Sequence, residues 1–310
     1  MNDNSDMDPM AAALAEIKRG KPGIPEADLL RFLTALITTG DYQPCPEATP
    51  REGVAPGTLR SETHIARSGY TGLSRQVQVY LPAAATDPLC LTVIQDGSLY
   101  LGPEVNASVV FDNLIAAGEI PPTVVLFVDP GTEGPGLPIY GGDDNRSIEY
   151  DSLGSGYADF LINELIPEFT DELAMVSGPE GRAICGMSSG GICAFNAAWE
   201  RPDYFSKVIS HCGSFVDIRG GHALIPAVRR APAKPLRIFL QTGEHDLDII
   251  FGNWPLANRA MAAALEYRGY DYQFEYGNGG HSLAHAGATF ADALRWLWRD
   301  WRGKTEGESP

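Results

Sequence analysis

Nothing in the 310-residue sequence is long and apolar enough to cross a bilayer, and the first twenty residues, MNDNSDMDPMAAALAEIKRG, lack the charged start and apolar centre of a secretory leader. A membrane-spanning protein is therefore not expected, and a cytoplasmic location is. Basic residues are scarce: 23 Lys and Arg stand against 40 Asp and Glu, for a formal net charge of -17. A field of that sign repels phosphate groups, which argues against nucleic acid or an anionic membrane as partner and disfavours a highly anionic substrate. Cysteine is limited to Cys45, Cys90, Cys185, Cys193 and Cys212, an odd set with no CxxC pair. Such a set fits buried thiols in a reducing compartment better than a disulfide framework. HExxH is missing too, so the HxxxH spacing of His281 and His285 is not read as a zinc site, and neither a metal nor an organic cofactor is expected.

What the sequence does contain is a regular alternation. Residues 1–55 hold an Asp/Asn-rich start, two short helical patterns and a proline-punctuated stretch, QPCPEATPREGVAPG, and read as an N-terminal extension. From 56 to 303, strand-like and helix-like runs follow one another: SRQVQVYLP, LTVIQDG, SVVFDNLIAAG, TVVLFVDPG, then YADFLINELIPEF, RAICG, GICAFNAAWE, KVISHCG and RIFLQTG. Near-continuous apolar strands, each followed by a helix, predict one catalytic domain built on a mainly parallel sheet with helices on both faces. Functional groups in such a sheet gather at the carboxyl ends of its strands. Residues 304–310 are polar and read as a frayed tail.

The sharpest motif is Gly186-Met187-Ser188-Ser189-Gly190, between the strand RAIC and a helix. A nucleophile on so tight a turn needs small neighbours, and the turn brings the Ser189 amide to a helix start, where it can face a developing oxyanion. With strand and helix in place, an α/β-hydrolase fold is expected, with Ser188 as nucleophile; the plain alternative is a small-residue turn used for close packing. Serine needs a base to take its proton. His281, in Gly279-Gly280-His281-Ser282 after the strand YQFEYG, has the loop position for it, ahead of His64, His211, His222, His245 and His285. The loop after RIFLQTG offers Glu244, Asp246 and Asp248 as the acid; Asp246 is preferred, with Asp248 as runner-up. Gly97 or Ser98, in the DGSLY turn after LTVIQ, is expected to give the second oxyanion donor. Arg146, Tyr100, Phe251 and Trp254 are candidates for substrate contact, Arg146 having as its alternative a salt bridge with Glu149 or Asp151.

The stretch from about 60 to 301 resembles the enterochelin esterase (esterase D-like) family. DGSLY, RSIEYDSLG, CGMSSGGICAFNAAWERPDYFSKVIS, NWPLANRAMAAAL and GGHS carry the resemblance. It implies hydrolysis of a small-molecule carboxylic ester through an acyl-enzyme, with Ser188, His281 and Asp246 at the family's nucleophile, base and acid positions. The N-terminal sandwich domain of full-length enterochelin esterases has no counterpart here, and the acidity speaks against a multiply negative ferric siderophore. Acyl transfer by the same triad, or a catalytically silent binding protein of this fold, are the rival readings, and a homo-oligomer is left open.

Overall fold

Strands whose side chains are all buried must be covered on both faces, and Cys90–Gln95 (β3), Thr123–Val128 (β4) and Lys207–His211 (β6) are of this kind. The computed structural model, which describes residues 25–83, 88–132 and 145–301, sets them in the middle of an eight-stranded sheet. Its remaining strands are Thr58–Ile65 (β1), Ser74–Leu81 (β2), Arg182–Met187 (β5), Arg237–Gly243 (β7) and Asp271–Gly277 (β10). The order is β1-β2-β4-β3-β5-β6-β7-β10, antiparallel at β1/β2 and β2/β4 and parallel from β4 onward. The polar sequence TLRSETHI suits β1 to the edge, where all its residues but His64 are exposed. Residues 304–310 and the first helical pattern of the N-terminal extension lie outside the described residues.

The helices are Glu26–Ile37 (α1), Gly97–Tyr100 (α2), Ala107–Ala116 (α3), Asn145–Tyr150 (α4), Gly156–Phe160 (α5), Ile166–Thr170 (α6), Ser189–Glu200 (α7), Leu224–Arg230 (α8), Trp254–Arg268 (α9) and Leu283–Leu297 (α10), with a π-helical stretch, Leu161–Leu165, joining α5 to α6. None of them is long and apolar enough to cross a membrane. Alternation along each strand sends neighbours to opposite faces: Val93, Ile184, Val208 and Ile238 enter the core under α7, whereas Ile94, Cys185, Ile209 and Phe239 enter the core under α3 and α10. All five cysteines are buried as free thiols.

Two features are not legible in the strand pattern. Arg75 on β2 and Glu149 on α4, both with fully buried side chains, form a bidentate pair at 3.0 Å. The described part of the N-terminal extension is fastened to the domain: Asn113 Nδ2 donates to Glu47 O and Thr49 O, Asn106 Nδ2 to Ala48 O, and Cys45 N to Gly287 O.

Candidate active site

Ser188 sits between β5 and α7 with φ 59° and ψ -120°, a conformation that costs an ordinary side chain energy and persists only where surrounding bonds hold it. Here Ser188 N donates to His211 O at 2.9 Å, while Ser188 O accepts from Gly191, Ile192 and Ser214 amides. Gly186 lets strand and helix cross: a Cβ there would stand 2.3 Å from Gly190 O. Ser189 opens α7, so its amide belongs to the first turn, which has no intrahelical acceptor.

His281 Nε2 lies 2.8 Å from Ser188 Oγ, and His281 Nδ1 lies 2.5 Å from Asp246 Oδ1. Asp246 is held in turn by the Thr242 hydroxyl, which donates to Oδ2 at 2.6 Å, and by Leu247 N, which donates to Oδ1 at 2.7 Å. Both His281 and Asp246 are buried. The rival carboxylates stay outside: Glu244 is exposed beside His245, and Asp248 is exposed on the short strand Asp248–Ile249 (β8), which pairs with Gly252–Asn253 (β9). Ser214 Oγ is 3.3 Å from Ser188 Oγ and accepts from the Trp254 indole at 3.2 Å.

The other histidines have different partners. His211 meets the Tyr100 hydroxyl at 2.8 Å, and desolvation, with a smaller effect of nearby His285, lowers it to about 3, so it is neutral. His285 Nδ1 takes a hydrogen bond from Gln241 Nε2 at 2.8 Å and stacks on Tyr42. Cys212, Asp246 and His281 carry ligand-type atoms within 4.8 Å of one another. Asp246 Oδ1 and His281 Nδ1 are bonded to each other, however, so both ligand-type atoms are already engaged within the pair.

Two of the expected contacts, those of Tyr100 and Ser98, fall elsewhere. Tyr100 is fully buried in the core against His211 and Phe290 and does not line the cleft. The Ser98 amide donates to Asp129 Oδ1 at 3.0 Å, which leaves it engaged away from an oxyanion. Gly97 lies flat against the backbone of Phe127. Arg146 is gripped elsewhere than expected: its Nε and Nη2 hold both oxygens of Asp96, at 2.9 and 2.7 Å, while Glu149 is taken by Arg75. Asp96, at φ 52°, is buried next to Gly190, so the guanidinium neutralises a carboxylate beside the nucleophile.

Phe251, Trp254 and Arg146 do line the cleft, a cavity of about 370 Å³ that also contains Ser188 and His281. Its apolar wall includes Ile218, Leu247 and Ile249 and, from α1, Leu29, Phe32 and Leu36. The α1 contribution was missed in the sequence; the i, i+3, i+7 spacing of 29, 32 and 36 marks a helical stripe but does not say what it faces.

The strand order, with the serine turn between β5 and the central helix, is that of the α/β-hydrolase fold. The Esterase family model, described as "Putative esterase", matches residues 68–297, and the chain belongs to this family of carboxylic ester hydrolases. It is 27% identical over 228 residues to an iron(III) enterobactin esterase of Dickeya dadantii, covering 69% of this chain and 48% of that one, so it spans about half the length of that relative. It superposes on an enterochelin esterase from Shigella flexneri with a TM-score of 0.67 at 21% identity, covering 85% of this chain and 63% of the other. A CE1 ferulic acid esterase from Anaeromyces mucronatus gives a TM-score of 0.62 at 18% identity, with 84% and 97% covered.

Proposed function

We propose that this protein is a serine esterase that hydrolyses a small-molecule carboxylic ester through an acyl-enzyme. The observation that carries the reading is the continuous chain of hydrogen bonds from Ser188 Oγ through His281 to Asp246, with Ser188 and His281 lining the apolar cleft. His281 Nε2 accepts the Ser188 proton as Oγ attacks the ester carbonyl carbon. Asp246, already on Nδ1, fixes the tautomer and stabilises the imidazolium that forms. The Ser189 amide, with the Gly97 amide assigned as second donor, holds the oxyanion. The tetrahedral intermediate then collapses, the C–O bond to the alcohol breaks, and His281 returns the proton to the leaving oxygen. Water attacks the acyl-serine with His281 again as base, releasing the acid and restoring Ser188.

Purified protein is tested on 4-nitrophenyl acetate and butyrate beside Ser188→Ala and His281→Ala. Wild-type turnover with both variants reduced by roughly 10³-fold or more is expected. Equal rates in wild type and Ser188→Ala would sink the mechanism and favour a binding role for the fold.

A further inference from the structure

The cleft is not built by the hydrolase domain alone. α1, near the beginning of the chain, lies across it, and three of its side chains, Leu29, Phe32 and Leu36, face the same cavity as Ser188. The Phe32 ring centroid is 6.4 Å from that of His281. Its outer face carries Leu30 and Ile37, both exposed, so the stripe in the cleft is a distinct one.

Three hydrogen bonds fix this wall to the machinery. Asp28 Oδ2 accepts from Ile250 N at 2.7 Å, between Ile249 and Phe251, which line the same cavity. At its other end, Ala35 O accepts from His281 N and Thr38 O from Gly280 N, each at 2.8 Å. The approach is close enough that a Cβ on Gly280 would stand 2.2 Å from Ala35 O, so only glycine fits before His281.

The charges around the cavity add a second constraint. Among the described residues its charged lining is Asp28, Asp96, Glu104 and Arg146, and the one cation of these four is bound to Asp96 through two nitrogens. Nothing in that set is placed to neutralise an anionic acyl group, while the apolar lining suits an uncharged one.

We infer that α1 is a wall of the substrate site, that Phe32 sets the size of acyl group admitted, and that the acyl group is uncharged and apolar. This rests on the esterase reading above. An aromatic ring standing over the catalytic imidazole limits how far an acyl chain extends past the serine; enlarging the ring shortens the slot and removing it lengthens it.

The test is a ladder of 4-nitrophenyl esters from acetate to decanoate, plus the anionic succinate half-ester, with wild type, Phe32→Trp, Phe32→Ala and the outer-face control Leu30→Ala. Phe32→Trp is expected to lower the octanoate-to-acetate ratio of kcat/KM by about tenfold or more, and Phe32→Ala to move the optimum to longer chains. Leu30→Ala keeps the wild-type profile, and the succinate ester is the poorest short substrate throughout. Calorimetric binding of octanamide to Ser188→Ala, with and without Phe32→Trp, reads the same wall without turnover and is expected to weaken about tenfold. Chain-length ratios and octanamide affinity that both stay at wild-type values in correctly folded Phe32→Trp would overturn the inference. A wild type no faster than Ser188→Ala on every ester, with octanamide binding still sensitive to Phe32, would instead remove the esterase reading and leave the wall standing.

Discussion

Asp246 Oδ1 accepts from both His281 Nδ1 and Leu247 N, and Oδ2 accepts from the Thr242 hydroxyl, so both oxygens of this carboxylate are held by donors. An amide in its place would aim an NH₂ group at one of those donors and favour the wrong imidazole tautomer. Asp246→Asn is therefore expected to lower kcat by roughly 10⁴-fold with the fold intact, read by steady-state kinetics beside circular dichroism. A comparable logic applies to Arg146, whose partner is a buried carboxylate. Arg146→Met strands Asp96 and is expected to cost about 3 kcal/mol in denaturant unfolding, much of it recovered by adding Asp96→Asn; equal loss in single and double variants would contradict the pairing. Ser188 and His281 were readable in the sequence because glycines, a strand and a helix flank them in a fixed order. The choice among Glu244, Asp246 and Asp248 was not settled by position alone. The Arg146–Asp96 pair was not readable, because fifty positions separate its members and nothing local in either segment announces the other.

At the scale of elements, the parallel strands announced themselves through unbroken apolar runs, since β3, β4 and β6 are buried on both faces. The central helix α7 was equally visible, because ten of its twelve residues are buried and its sequence is correspondingly apolar. The hairpin of β8 and β9 was not, since two residues per strand carry no periodicity. Nor was the docking of α1, whose amphipathic pattern is satisfied by any apolar surface of the right width. The crossing of β5 and α7 depends on Gly186. Gly186→Ala forces a methyl against the Gly190 backbone, which cannot yield as a flexible side chain would. A loss of about 1–3 kcal/mol in stability, together with a fall in kcat, is expected; unchanged stability and kinetics would mean that the elbow is looser than its contacts require.

For the molecule as a whole, acid sensitivity follows from a histidine outside the proposed chemistry. His211 is buried against Tyr100 and lowered to about 3 by desolvation, whereas in an unfolded chain it has its ordinary value of 6.5. The unfolded state thus binds the extra proton first as pH falls, so stability is complete above 6.5 and is lost progressively from 6.5 down toward 3. The slope reaches about 1.4 kcal/mol per pH unit. His211→Gln keeps a polar partner for Tyr100 and removes the titration, so between pH 6.5 and 4.5 its denaturation midpoint is expected to fall less steeply than that of wild type. Parallel midpoints would show that His211 is protonated in the folded protein at ordinary acidity.

The hydrogen bond between Asp28 and Ile250 joins residues 222 positions apart, and the bonds to Gly280 and His281 reach further still. A ribosome releases α1 long before any of its acceptors or donors in those loops exist. Its last bonds therefore wait until every strand of the sheet has been synthesised. The wall of the cleft and the loop bearing His281 can come together only once residue 281 has been made, so no nascent chain that stops short of it holds a closed site.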